Sequence, residues 1–376
     1  MGVVKLVFWS SLGALAWTHG GYPAALTALA RVRGRPVRKA EGTPTVSVIV
    51  AAHDEEAVIE RRVGNLLELD YPPDRVEIVV SSDASTDRTD ELVEAISRRE
   101  PRVRLLRCPR GGKVAAQNLA VRETTGEVVA FSDANATWDR HALRKLVRNF
   151  ADPGVAYVCG RMELTVPDGS NREDVYWRYE LLLRESESAL GSITGGNGSI
   201  YAVRRRDYVE VDPRFGHDLA LPYLMVQRGR RAVYESEAVA YEKPSRSIEE
   251  EYRRKVRMFE HCWLIVLRGS MLRGLDRLYL IEMISHRLLR YGSGLLHLAL
   301  LGSSAALAGR GGPYRLGLRA QAALLALAAA GRSGARVPGA ALAYYYVLVT
   351  SATVVALPRT LLLGVPAVWG KAPGTR

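Results

Sequence analysis

An acid and an amide stand one residue apart in "SDANATW", where Asp133 and Asn135 follow the apolar run Val129–Phe131. Carboxylate and amide oxygens can bind a hard divalent cation such as Mg²⁺ or Mn²⁺, which usually completes its shell with substrate phosphates. The sequence therefore predicts that Asp133 and Asn135 hold a metal ion that bridges the protein to a diphosphate. The alternative is an Asx turn that caps the next helix.

Two further segments carry residues suited to a nucleotide. Gly111 and Gly112 would let the backbone approach a phosphate, and Lys113 would add a positive charge at a helix start. Asp83, in "SSDASTDRT", could accept hydrogen bonds from a base or a ribose. The alternatives are a turn with a solvated lysine and an ordinary loop aspartate.

These segments follow predicted strands that alternate with predicted helices. The predicted strands are Thr45–Val50, Arg75–Val80, Val103–Leu106 and Glu127–Ser132. The predicted helices are 55–69, Thr86–Arg98 (with Ser85 or Thr86 as N-cap), Val114–Glu123 and Trp138–Phe150. This alternation is typical of an α/β fold with a parallel sheet, which binds its ligands beyond the carboxyl ends of the strands.

Apolar segments flank this soluble part of the 376-residue chain. Val3–Ala30 is nearly free of charge after Lys5 and predicts a membrane anchor, with a cleaved signal peptide or a buried helix as alternatives. The basic stretch "RVRGRPVRK" that follows favours a cytoplasmic soluble domain. With Tyr291–Gly309 and Ala340–Leu357, the sequence predicts three or four spans in total, hence a multi-pass protein of the plasma membrane.

The formal net charge of +12 does not indicate nucleic-acid binding. Many basic residues lie beside the apolar runs, where they would face anionic lipid headgroups, and no nucleic-acid motif with interleaved aromatic residues is present. We therefore expect membrane lipids, and not nucleic acid, as partners. Cys108, Cys159 and Cys262 lie far apart without metal-ligand spacing and are predicted to be free, buried thiols.

Several segments together resemble the family-2 glycosyltransferases with the GT-A fold. They are "VSVIVAAHDEEAVI", "EIVVSSDASTDRT", "GGKVAAQNLAV", "VVAFSDANATW", "GSITGGNGSIYAVRR" and "FGHDLALPYLMVQRGRRAVYESEAVAYEKP". They stand in the family's order over roughly Pro44–Trp263, and they are most similar to membrane-embedded members such as the cellulose, hyaluronan and poly-N-acetylglucosamine synthases.

The resemblance implies an α/β, GT-A (Rossmann-like) catalytic domain with flanking transmembrane helices. The implied organisation has four parts: 1–42, a transmembrane anchor and basic flank; 43–245, the catalytic domain; 246–287, amphipathic interfacial helices; and 288–376, C-terminal transmembrane helices.

The resemblance also implies a role for each matching side chain. Asp218 falls where the family keeps its catalytic base; a helix N-cap is the alternative. The residues expected on the nucleotide-sugar donor are Glu55, Asp83, Lys113, Asp133, Arg254 and Arg257. Those expected on the acceptor side are Gly195, Gly196 and Asn197, and those expected on Mg²⁺ or Mn²⁺ are Asp133 and Asn135.

The sequence departs from the family pattern at two places. Asn135 replaces the second acid of Asp-X-Asp, so we expect weaker metal binding; His217 would compensate as a ligand or is a structural residue. The processive members carry Gln-X-X-Arg-Trp where this chain reads "RKVRM", Arg254 to Met258. Arg254 and Arg257 then either meet the diphosphate or line a basic interfacial helix.

The resemblance implies an inverting glycosyltransferase that moves a sugar from a nucleotide-sugar donor to a lipid-linked or glycan acceptor at the cytoplasmic membrane face. A UDP-sugar is the usual donor in this family. Two alternatives stay open: a processive polysaccharide synthase that secretes its product, and an inactive nucleotide-sugar-binding scaffold of a synthase complex.

Overall fold

The structure is a computed structural model that describes residues 1–164, 174–244 and 247–368. Its strands are β1 (Val46–Ala52), β2 (Val76–Asp83), β3 (Val103–Cys108), β4 (Val128–Asp133), β5 (Thr137–Trp138), β6 (Val155–Leu164), β7 (Tyr201–Arg204) and β8 (Arg231–Glu242). Its helices before β8 are α1 (Gly2–Ala16), α2 (Tyr22–Arg33), α3 (Ile59–Leu67), α4 (Thr89–Ser97), α5 (Lys113–Arg122), α6 (Ala142–Val147), α7 (Asp174–Leu190) and α8 (His217–Gln227). After β8 come α9 (Ile248–Arg268), α10 (Arg277–Glu282), α11 (Leu289–Tyr291), α12 (Ser293–Leu307), α13 (Gly312–Arg332) and α14 (Ala340–Leu363).

The strands form one mixed sheet in the order β3-β2-β1-β4-β7-β6-β8-β5. The predicted parallel arrangement is confirmed for β1 to β4, which pair in parallel. Beyond β4 the sheet is mixed: β7 runs antiparallel to β4, pairing Tyr201 with Phe131 and Arg204 with Val128, whereas β6 and β8 pair in parallel. The α/β fold class itself is confirmed.

Strand residues alternate between two hydrophobic clusters, one on each face of the sheet. In β1, Val48 and Val50 pack into the cluster that contains Trp138, whereas Ile49 packs on the opposite face with Phe131. Helices cover both faces, so the strands are apolar on both sides. The sheet is therefore a rigid platform, and its carboxyl edge is the part left available for polar residues.

Three predicted helices begin later than expected, the first being α3, which begins at Ile59 and not at residue 55. Thr137–Trp138 is a short strand that pairs with β8, and α6 begins only at Ala142. The Trp138 indole N–H donates to the carbonyl of Ser199 at 2.9 Å, which holds this residue against the neighbouring loop. Helix α4 begins at Thr89, with Arg88 at the N-cap position and no side-chain cap, while the N–H and hydroxyl of Thr86 donate to Asp54. The predicted N-cap at Ser85 or Thr86 is therefore wrong.

The described residues contain one helix that is long and apolar enough to cross a membrane, namely α14. A second span arises only if Arg277–Tyr291 and Ser293–Arg310, which meet at a 64° bend, are taken together. These one or two candidates do not support the three or four spans that the sequence predicts. Membrane embedding stays a prediction.

The predicted interfacial region begins instead as a packed helix. The apolar face of α9 places Phe259 and Trp263 in the main hydrophobic cluster, and the Trp263 indole donates to the carbonyl of Thr353 in α14. The boundary predicted at 245/246 and residues 369–376 of the last predicted region lie outside the described residues. The three cysteines are free and buried, as predicted.

Candidate active site

A cavity of about 680 Å³ opens at the carboxyl ends of β1, β2 and β4. Twelve residues to which the sequence assigned a role line it: Glu55, Asp83, Lys113, Asp133, Asn135, Gly195, Gly196, Asn197, His217, Asp218, Arg254 and Arg257. Gly112 also lines it, whereas Gly111, the other glycine predicted to approach a phosphate, is not among the lining residues. These residues come from segments up to about 200 positions apart in the chain. Their convergence is an observation, whereas their individual roles remain proposals.

The Asp83 carboxylate binds the glycine loop that precedes α5. Its Oδ1 accepts from the backbone N–H of Gly111 at 2.7 Å, both of its oxygens lie 3.0–3.1 Å from the backbone nitrogen of Gly112, and the Arg110 guanidinium pairs with its Oδ2. Asp83 is only 2% exposed. In this state the side chain positions the loop, which differs from the expected direct contact with a nucleotide.

Lys113 and Asp133 form an ion pair at the centre of the cavity. Burial opposes the charged form of Lys113, but attraction to Asp133, with smaller contributions from Asp218 and Glu242, outweighs it and raises the pKa of the ammonium group. Lys113 therefore stays cationic at neutral pH. Gly112, with φ of +89°, turns the chain immediately before this residue, so that α5 starts at Lys113.

Glu242, at the end of β8, is the second acid beside Asp133. Burial and the negative charge of Asp133 raise the pKa of Glu242, and its Oε1 accepts a hydrogen bond from the Ser199 hydroxyl. Two neighbouring carboxylates create a negative potential that a cation would relieve. Asp133, Glu242 and the amide of Asn135 are thus suitable oxygen donors for a divalent ion, completed by substrate phosphates.

The structure does not show a self-sufficient metal centre. Within residues 1–164, 174–244 and 247–368, no group of three or more His, Cys, Asp or Glu side chains is arranged to hold a metal. His217 has Nδ1 2.8 Å from the Tyr201 hydroxyl and Nε2 3.4 Å from the Tyr208 hydroxyl. Burial lowers the His217 pKa to about 3, with a further contribution from Lys113. These contacts favour the structural role for His217.

Asp218 lies in the first turn of α8, whose N-cap is Gly216. Its side chain does not cap the helix, which removes the alternative considered for it. Its backbone carbonyl accepts from the N–H of Gly196 at 2.6 Å, so the base candidate is joined directly to the predicted acceptor loop.

The Asn197 side chain stabilises that loop through hydrogen bonds to backbone groups. Its amide donates to the carbonyl of Gly160 at 2.7 Å, and its Oδ1 accepts from the N–H groups of Ser199 and Ile200. Both ends of the amide are thus engaged within the protein. We therefore interpret Asn197 as a positioning residue for Gly195 and Gly196.

Arg254 and Arg257 reach the cavity from α9. Arg254 pairs with Glu251 of the same helix at 2.8 Å, and burial lowers the pKa of Arg257. Both side chains line the cavity wall, which is the position that contact with a diphosphate would require.

The cavity residues missed from the sequence include Arg110, Arg184, Glu242 and Arg287. Arg110 precedes the Gly-Gly-Lys segment and was the one most open to recognition. Arg184 and Arg287 lie on helices outside the motifs, and only the tertiary fold brings them to the cavity.

Comparison with known proteins agrees with this geometry. Residues 47–211 match the sequence model of the family "Glycosyl transferase family 2". A β-monoglucosyldiacylglycerol synthase of Nostoc sp. is 30% identical over 215 residues, covering 54% of this chain and 45% of that protein. An N-acetylglucosaminyltransferase of Sinorhizobium fredii is 27% identical over 337 residues, covering 82% and 79%.

The fold is shared with a solved structure. The mannosyltransferase PcManGT of Pyrobaculum calidifontis, determined with GDP-Man and Mn²⁺, aligns with a TM-score of 0.73 at 24% identity and covers 95% of this chain and 99% of its own. The chain spans less than half the length of the β-monoglucosyldiacylglycerol synthase. Residues 47–211 are thus similar to a family-2 glycosyltransferase domain, and the chain shares the fold of this mannosyltransferase.

Proposed function

We propose that this protein is an inverting glycosyltransferase that moves a sugar from a nucleotide-sugar donor, a UDP-sugar being the first candidate, to a lipid-linked or glycan acceptor at the cytoplasmic membrane face. The observation that carries the proposal is the shared cavity. It brings Lys113 and Asp133 together with Asp218 and the glycine loop at residues 195–198. Donor charge and acceptor hydroxyl can thus meet in one hollow.

The proposed reaction is a single displacement at the anomeric carbon. The acceptor oxygen forms a bond to this carbon as the bond to the diphosphate oxygen breaks, and the diphosphate leaves with the electron pair. Asp218 takes the hydroxyl proton, a general-base role that contributes about 10²–10⁴-fold to the rate. Lys113, held cationic by its acidic neighbours, stabilises the charge that develops on the leaving group.

A divalent cation, Mg²⁺ or Mn²⁺, would supply further neutralisation of the diphosphate when bound. Asp133, Glu242 and Asn135 are the residues that would hold it. The amide of Asn135 carries no charge, so the affinity should depend strongly on the donor phosphates. The fold shared with a mannosyltransferase determined with Mn²⁺ supports this proposal.

The membrane location is supported by the outer face of the N-terminal helix. Val3, Leu6 and Trp9 recur at helical spacing on α1 and are 72%, 68% and 51% exposed. A soluble environment would leave this stripe facing water, whereas a lipid surface would cover it. The basic residues that follow α2 favour a cytoplasmic position for the domain.

The test is a donor screen on purified full-length protein, with release of nucleoside diphosphate measured with and without Mn²⁺. We expect release with one class of nucleotide sugar, and loss of release in Lys113→Met. Lys145→Met is the matched control, because Lys145 pairs with Glu237 on the surface outside the cavity. Nucleotide binding without turnover, over all donors and acceptors, would contradict the proposal and favour the scaffold alternative.

A further inference from the structure

The cavity continues past the glycine loop to a second charged wall. There it is lined by Arg184 of α7, by Arg287 and Arg290 near α11, and by one acid, Glu180. Glu180 lies 3.7 Å from the guanidinium groups of Arg184 and Arg287 and 2.6 Å from that of Arg290. Of the described carboxylates near these three cations, only Glu180 lines the cavity; the buried Glu187 also attracts Arg287. Three cations thus face two carboxylates, which leaves excess positive charge.

Two of these arginines are buried without full hydrogen bonding. Arg184 is 4% exposed and Arg287 is 8% exposed. Arg184 donates from Nη2 to the carbonyl of Gly196, and Arg287 donates from Nε to the Thr194 hydroxyl. No hydrogen-bond acceptor within the described residues meets Nε and Nη1 of Arg184 or Nη2 of Arg287. Buried guanidinium N–H groups without acceptors are costly, and an anion would satisfy them.

The glycine loop links this wall to the donor end of the cavity. A Cβ on Gly195 would lie 2.6 Å from Nη2 of Arg287, and a Cβ on Gly198 would lie 3.0 Å from Nζ of Lys113. Three residues of chain span at most about 11 Å. An anion beside Arg184 and Arg287 would therefore sit within reach of the donor diphosphate and on the acceptor side of Asp218.

The same cavity reaches the apolar helices. Leu342, Tyr346 and Val349 of α14 line its far end, and Leu342 is 43% exposed, so this end borders the surface of the most apolar long helix. A ligand with a charged head and an apolar tail would match both features. Its head would meet the arginines, and its tail would leave along α14.

We propose that Arg184 and Arg287 form an acceptor subsite for the phosphate of a lipid, whose tail lies along α14. This assignment rests on the proposed glycosyltransferase function and names the acceptor class for it. Arg184 and Arg287 bind the phosphate, and the loop at residues 195–198 sets its distance from the donor.

The experiment measures equilibrium binding of hexadecyl phosphate to the full chain in detergent, with hexadecanol and inorganic phosphate as comparisons. We expect hexadecyl phosphate to bind at least about 10-fold more tightly than either, because only it offers charge and tail together. Arg184→Gln and Arg287→Gln should each weaken this binding about 10-fold, with Arg184→Lys intermediate because lysine keeps the charge without the fork. Arg178→Gln, at an exposed arginine of the same helix, should change it less than about twofold.

Nucleoside diphosphate binding, measured on the same samples, separates the two proposals. We expect it to stay within about twofold of wild type in all four variants, which also shows that they are folded. Equal binding of hexadecyl phosphate and hexadecanol, or wild-type affinity in both glutamine variants, would overturn the acceptor subsite. Inorganic phosphate that binds as tightly as hexadecyl phosphate would overturn the lipid assignment. Failure of the donor screen, by contrast, would refute the glycosyltransferase proposal and leave this binding result standing.

Discussion

Replacement of Asp83 by asparagine separates two roles for this residue that the sequence could not distinguish. In one role Asp83 contacts the nucleotide; in the other it holds the glycine loop that presents Lys113. The structure favours the second, because Gly111, Gly112 and Arg110 all donate to its carboxylate. The asparagine side chain would keep the shape but lose the charge and place an amide N–H group against these donors.

The magnitude follows from the buried contacts. A hydrogen bond to a charged group contributes about 1.5–3 kcal/mol, and Asp83 is almost fully buried. The Arg110 side chain is 33% exposed, so its ion pair adds little beyond this. We therefore expect Asp83→Asn to lower the free energy of unfolding by about 3 kcal/mol and to raise the donor Kd about 10–100-fold.

The assay pairs urea unfolding with calorimetric titration of nucleoside diphosphate, both on the full chain. Asp74→Asn is the matched control, since the Asp74 side chain is 77% exposed and should change neither quantity. Arg110→Gln combined with Asp83→Asn should be little worse than Asp83→Asn alone, because both act through the same loop. A weaker donor affinity with an unchanged free energy of unfolding would refute the loop-anchoring role and support direct contact with the nucleotide.

Three further outcomes test the site. Asp218→Asn should lower transfer about 10²–10⁴-fold with donor affinity unchanged, measured with labelled nucleotide sugar; transfer near the wild-type rate would exclude the base role. Chelation of divalent ions should abolish turnover and Mn²⁺ or Mg²⁺ should restore it, whereas full activity in chelator would exclude the metal role of Asp133. His217 has a pKa of about 3 in the fold and about 6.5 when unfolded, so its stabilisation is complete above neutral pH and is lost as the pH falls. Between pH 7.5 and 5.5 the wild type should therefore lose about 1.4 kcal/mol more of its free energy of unfolding than His217→Gln, and equal losses would contradict the lowered pKa.

The donor side of the cavity could be predicted because one local rule places it. Parallel strands end at the same edge of a sheet, so polar residues just after β1, β2 and β4 must converge there. Strand positions were also predicted to within a few residues, because a strand that is buried on both faces appears in the sequence as a continuous apolar run. The start of α6 was missed because Thr137–Trp138 pairs with β8, a partner about 100 residues away that no local pattern reveals.

Arg184, Arg287 and Glu242 could not be predicted as cavity residues, because only tertiary contacts bring them there. The loop residues Gly195, Gly196 and Asn197, by contrast, were predicted. Arg184 and Arg287 lie on helices whose sequences resemble any charged, half-buried helix. Glu242 ends a strand that enters the sheet between β6 and β5, and its neighbour Asp133 is over 100 residues earlier. A single sequence records that these residues are charged, but it does not record which of them share a cavity.

The glycines at residues 195, 196 and 198 are visible in the sequence, but the reason that each must be glycine is visible only in the structure. None of Gly195, Gly196 and Gly198 has a positive φ, so the backbone conformation does not require glycine there. What requires it is close approach: a Cβ would collide with Arg287 at the first position, with the Tyr157 hydroxyl at the second, and would press on Lys113 at the third. Each glycine therefore allows a different side chain to lie close to the loop: Arg287 at Gly195, Tyr157 at Gly196 and Lys113 at Gly198. The sequence identifies the loop as important, and the three neighbours explain why a methyl group at any one position would disturb a different end of the site.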